Sequence, residues 1–189
     1  MAFPFLMEEG FELGTLGAFD AESDAQPKLD FPHYRELARF PGLPAPYRGG
    51  YCMRVDLSVG TTDAYVQETG GWDTAAAATV WTRFYVWFGG DPVMATTNVF
   101  AFWQLWSSTN TVEASVGIEY TTANGYRFFI NEAAAAAGAA FIPCILNKWH
   151  CIEIVALVDS GVGNDGTLDL YVDGAHATQI TALDQGAIT

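Results

Sequence analysis

From Tyr51 onward, apolar and polar residues alternate with a period of two, the pattern of strands rather than helices. Tyr51, Met53, Val55 and Leu57 alternate with Cys52, Arg54, Asp56 and Ser58, which predicts a half-buried strand, and Ala64 to Glu68 predicts a shorter one. Val80, Thr82, Phe84, Val86 and Phe88 form one face of the next, opposite Trp81, Arg83, Tyr85 and Trp87. Large side chains on both faces predict a central strand covered on each side. The same holds for Val99 to Trp106, where Val99, Ala101, Trp103 and Leu105 oppose Phe100, Phe102, Gln104 and Trp106. Val112, Ala114, Val116 and Ile118 alternate with Glu113, Ser115, Gly117 and Glu119, a strand with one wet side. Asn124-Gly125 predicts a tight turn into Tyr126-Arg-Phe-Phe-Ile130. Trp149 to Val158, a Gly/Asp/Asn loop, Leu168 to Val172, the turn Asp173-Gly174 and a strand from His176 to Thr181 close the series.

The first 49 residues read differently. Phe11-Glu-Leu-Gly14 predicts a short opening strand, and Asp20 to Lys28 is polar and loop-like. Pro32, Pro41, Pro44 and Pro46 punctuate the stretch that follows, limiting any helix or edge strand built on Tyr34-Arg-Glu-Leu-Ala-Arg39. Lacking a core of its own, this segment is read as a clasp over a sheet. The expected organisation is therefore one domain over residues 1–189, with an N-terminal strand and Pro-rich clasp in 1–49 and a regular sandwich in 50–189. The alanine runs at 75–78 and 133–137 are too short to persist as isolated helices and are read as connections.

Charge narrows the range of partners. Acidic residues number 22 against 8 Lys and Arg, a formal net charge of −14. Nucleic acid and anionic membrane surfaces are thereby disfavoured, because both are held by cationic side chains. No stretch approaches the roughly 18 apolar residues of a membrane span. The acidity itself reads as solubility, or as attraction to basic partners or metal ions. Cys52, Cys144 and Cys151 are an odd number, read as three reduced, mostly buried thiols. The opening Met-Ala-Phe-Pro-Phe-Leu-Met-Glu-Glu has no basic segment and is not read as a signal peptide.

Short strands with turn signals every few residues indicate a sandwich or barrel. Phe11-Glu-Leu-Gly14, Tyr51-Cys-Met-Arg-Val-Asp56, Lys148-Trp-His-Cys-Ile-Glu153 and Leu168-Asp-Leu-Tyr-Val-Asp-Gly174 together resemble the concanavalin A-like lectin/glucanase superfamily, in its laminin-G-like branch. The resemblance implies an all-β, antiparallel jelly-roll β-sandwich. It also implies a structural calcium ion as the one candidate cofactor, with Glu12 matching a ligand position on the opening strand and Asp20 or Asp184 as further acids. Such folds usually return with another strand after the Asp-Gly hairpin. Here the sequence ends at Thr189, so the last strand is either very short or supplied by a neighbouring molecule.

The catalytic signatures of that superfamily are not found. Its retaining glycosidases cluster acids as Glu-x-Asp-x-x-Glu, and no such run occurs. Glu113 and Glu119 share a strand face but sit roughly 20 Å apart at about 3.3 Å per residue. Arg35-Glu-Leu-Ala-Arg39 departs from the Arg-x-Glu-Leu-Arg order of alginate lyases and reads as an exposed part of the clasp. There is no Gly-x-Ser-x-Gly elbow. His150, beside Trp149, is read as a half-buried structural histidine; His33 and His176 are read as solvated. The oxygen-rich run Asp159-Ser-Gly-Val-Gly-Asn-Asp165 breaks the EF-hand spacing and reads as a plain loop.

Three functions follow. The first is a non-enzymatic structural or binding module, similar to the decoration or fibre-type proteins of bacteriophage virions. It would assemble in the host cytoplasm as a homo-oligomer or with capsid proteins, through Phe3, Phe5, Leu6, Tyr34 and Tyr47. The second is a carbohydrate-binding module that stacks glycans on Trp81, Trp87 and Trp106, with Arg83, Tyr85 and Gln104 as polar neighbours. The same aromatic stripe equally suits a second apolar layer or a partner contact. A polysaccharide lyase or glycoside hydrolase comes third.

Overall fold

The computed structural model describes residues 21–24, 29–30, 54–55, 64–67, 79–89, 94, 99–106, 112–132, 142–159 and 164–183. Every regular element among them is a strand, and every pairing is antiparallel. The chain divides into two compact units, Met1–Trp72 and Asp73–Thr189. In the first, β1 (Ala21–Asp24) pairs with β4 (Ala64–Gln67), and β2 (Leu29–Asp30) pairs with β3 (Arg54–Val55). The polar Asp20 to Lys28 stretch is therefore not all loop. Ala21–Asp24 is extended because β4 supplies its ladder partners, which local polarity does not reveal. The predicted strand at Phe11 to Gly14, both alanine runs and the proline-rich clasp lie outside the described residues.

The second unit is built from two sheets. One has the order β11 (Ala175–Leu183), β10 (Gly166–Val172), β9 (Trp149–Leu157), β5 (Thr79–Trp87). The other is a meander of β6 (Val99–Trp106), β7 (Val112–Thr121) and β8 (Gly125–Glu132). Period-two burial is cleanest in β9 and β10, whose even-numbered residues Ile152, Ile154, Ala156, Leu168, Leu170 and Val172 are all buried. Rings join the sheets. Phe84 meets Phe102 edge-on at 5.9 Å, and Phe88 lies 6.3 Å from Phe128.

Two turns explain the hairpins. Asp173 and Gly174 have φ of +53° and +80°, the two left-handed residues of a type I′ turn, whose twist matches that of the strands it joins. The β7–β8 loop is longer than the Asn124-Gly125 pair suggests. Thr121 pairs with Gly125, so three residues form the loop and Gly125 takes φ +69°.

Three expectations need correction. First, β5 was expected to be central and covered on both faces, but among the described residues it pairs with β9 alone, and Trp81 on its outer face is 67% exposed. Second, β6 does not keep strict alternation. Phe100 and Phe102 join the ring cluster, but a register shift between Ala101 and Trp103 breaks the alternation there, and Gln104, expected on their face, is exposed. Gly117 accommodates this strand, since a Cβ there would sit 2.1 Å from the Phe100 carbonyl oxygen. Third, β7 is not wet on one side. Glu119 is only 8% exposed, because Arg127 directly across the β7–β8 ladder binds its carboxylate and offsets the cost of burying it.

Cys144 and Cys151 are both unpaired thiols. Burial pushes the Cys144 thiol up to about 12, leaving about one thiolate in ten thousand at pH 8. A maleimide applied at that pH is expected to label Cys151 on the half-open sheet face within minutes. It should reach Cys144 only after denaturant is added, as read by peptide mass mapping. Equal labelling of both in the native state would contradict the packing around Cys144.

Candidate functional site: the outer face of the four-stranded sheet

The register of the four-stranded sheet lays its outward residues in rows across the strands. Trp81 pairs with Val155, Val155 with Asp169, and Asp169 with Gln179. The next row runs Arg83, Glu153, Tyr171, His176. Tyr85 opposite Cys151, then Trp87 opposite Trp149, continue toward one end. Strand pairing alone thus collects five aromatics and several polar groups on one surface, because opposite residues of an antiparallel ladder project to the same side.

The polar groups are tied to one another. The His176 Nε2–H donates to Asp169 Oδ1 at 3.0 Å, and the Gln179 amide donates to Asp169 Oδ2 at 3.1 Å. The His176 ring also stands edge-on to Tyr171, with centroids 4.9 Å apart. Arg83 lies 3.7 Å from the Glu153 carboxylate and donates to the Tyr85 hydroxyl at 3.4 Å. The Cys151 sulfur first, then Tyr85 and Glu153, favour the charged guanidinium. An ionised carboxylate offers about four lone-pair directions, so Asp169 retains acceptor capacity beyond its two neighbours.

A second constellation lies at the edge of this face. His150 is buried, 2% exposed, edge-on to Phe128 at 5.0 Å. Its Nδ1 lies 3.0 Å from Asp173 Oδ2, and its Nε2 lies 3.0 Å from the Ile145 carbonyl oxygen. Both partners are acceptors, so both contacts are hydrogen bonds when each ring nitrogen carries a proton. Asp173 also accepts from Lys148 Nζ at 2.8 Å and from the Cys151 amide at 2.9 Å. Partial burial pushes the Asp173 carboxyl up, but Lys148, the Cys151 amide and His150 together outweigh it and hold the group below the ordinary carboxylate range. With both imidazole nitrogens occupied, His150 serves as a brace between elements.

The six residues expected to bind carbohydrate divide between the sheets. Trp81, Arg83, Tyr85 and Trp87 share the outer face of β5, whereas Gln104 and Trp106 belong to β6 in the other sheet. Glu12, Asp20 and Asp184, and the contact residues Phe3, Phe5, Leu6, Tyr34 and Tyr47, lie outside the described residues. Among the described residues, no three His, Cys, Asp or Glu gather in a way that could hold a metal ion. Glu153, Asp169, Tyr171 and Gln179 were not read as binding residues, and His176 was read as solvated, whereas it binds Asp169. Their strand periodicity was visible; the register that sets them beside Trp81 and Arg83 was not. Comparison with family models, curated proteins and solved structures finds no match for the chain.

Proposed function

We propose that the chain is a non-enzymatic glycan-binding module of concanavalin A-like jelly-roll type, with the outer face of its four-stranded sheet as the binding surface. The observation that carries this reading is Trp81, 67% exposed in the same cross-strand row as an Asp169 carboxylate oriented by His176 and Gln179. An exposed indole stacks on the apolar face of a pyranose, and fixed polar groups beside it select the hydroxyls. Glycan-array binding followed by titration tests it. Trp81→Ala is expected to weaken binding about tenfold or more with no change in thermal midpoint, since the side chain contributes little to the core. Failure of the native protein to bind any glycan would overturn the reading.

The setting we favour is a virion surface, in the manner of decoration or fibre-type proteins, and it rests on the resemblance of the sequence to such jelly rolls. One feature supports assembly. Among the described residues β11 pairs only with β10, an edge of the kind to which a strand from a second copy adds. Fixed stoichiometry on purified particles would support this setting, and absence from them would exclude it.

A further inference from the structure

We propose that the ligand is an uncharged oligosaccharide of at least two rings, lying across the strands of this face, with one ring on Trp81 and the next unit's hydroxyls on Asp169 and Gln179. This rests on the glycan-binding reading above and deepens it. Trp81, Val155 and Asp169 are successive partners in the register, so Trp81 and Asp169 stand two strand spacings apart, about 10 Å. One pyranose does not bridge that span; a disaccharide does. Val155, half-buried between them, offers an apolar floor without a competing polar group.

Charge decides the class of sugar. Glu153 and Asp169 both lie on this face, and the whole chain carries −14. Arg83 is the only Lys or Arg in the four strands, and Glu153 and Tyr85 already engage it. Among the described residues of this face, a uronate or sulfate would meet two carboxylates and no unengaged cation. Neutral hydroxyls instead donate to Asp169, whose carboxylate can accept more hydrogen bonds than the two from His176 and Gln179.

Calorimetric titration of the whole protein at low salt tests the proposal. Neutral hexaoses of the β-1,4-glucan, β-1,3-glucan and mannan types would be compared with oligogalacturonate and polyguluronate, and each neutral series with its monosaccharide. At least one neutral series should bind, its disaccharide at least about tenfold more tightly than its monosaccharide. The anionic sugars should not bind. Asp169→Asn should weaken neutral binding about tenfold while the melting midpoint stays within about 2 °C; should that variant unfold, Gln179→Ala probes the same subsite from the exposed edge strand. Preferential binding of the uronates, lost in Arg83→Gln, would overturn the neutral class while leaving this face as the site. Equal affinity for mono- and disaccharide would overturn the two-ring geometry. No binding of any sugar would remove the glycan reading and this proposal together.

Discussion

Phe128→Ala is expected to cost about 3–5 kcal/mol of stability, the range for deleting a buried aromatic ring that its neighbours cannot collapse to replace. In a chain of this length the melting midpoint should fall on the order of 10 °C. Phe128 is fully buried. It lies 6.3 Å from Phe88, 6.4 Å from Phe102 and 5.0 Å from the His150 ring, so it touches both sheets. Phe88 and His150 belong to the four-stranded side, while Phe102 and Phe128 belong to the three-stranded side. Phe128→Leu keeps most of the apolar volume and should cost less than half as much. Urea denaturation of the pair provides the comparison. A loss below about 1.5 kcal/mol for the alanine variant would mean that the two sheets do not depend on this ring.

The second large effect belongs to Asp173. Asp173→Ala removes the acceptor for Lys148, for the buried His150 and for the Cys151 amide, and places alanine at φ +53°. An unpaired buried imidazole together with a left-handed alanine should cost about 2–3 kcal/mol, reduced from the fully buried case because Asp173 is itself 37% exposed. Asp173→Asn tolerates the turn conformation and retains an acceptor oxygen, so it should lose roughly half as much. The pH dependence separates charge from shape. The folded protein holds this carboxyl below its ordinary value, so its contribution is complete above about pH 4. It fades as pH falls through the lower folded value. Between pH 4 and pH 2 the native protein should therefore lose stability more steeply than Asp173→Asn. Parallel pH profiles would show that the carboxylate charge contributes nothing at this turn.

The hairpin carrying Asp173 was legible in the sequence because everything it needs is local. Strand alternation flanks an Asp-Gly pair, and both residues accept positive φ. Strands β5 to β11 all lie where alternation or turn residues predict them, for the same reason. What local pattern could not disclose was pairing. β5 looked central because both its faces are bulky, yet bulk on a wet face is also what a binding surface looks like. In β6 the shift after Ala101 broke an alternation that the residue types continued to suggest. Glu119 looked solvated because a lone glutamate usually is; only the register that sets Arg127 opposite makes its burial affordable. The candidate site was half visible. Trp81 and Arg83 stood out by residue type, whereas Asp169, His176 and Gln179 acquire meaning only when three strands lie side by side.

The position of His150 has a dynamic consequence. One ring joins three places: the β9 ladder, the Ile145 carbonyl in the segment leading to it, and the turn at Asp173, while its edge rests on Phe128 in the opposite sheet. Hairpin tips ordinarily fray ahead of the domain that carries them. This one is stitched to the interior, so amide protons at the tip, such as that of Asp173 bonded to the Cys151 carbonyl, should exchange with solvent on the slow timescale of whole-unit opening.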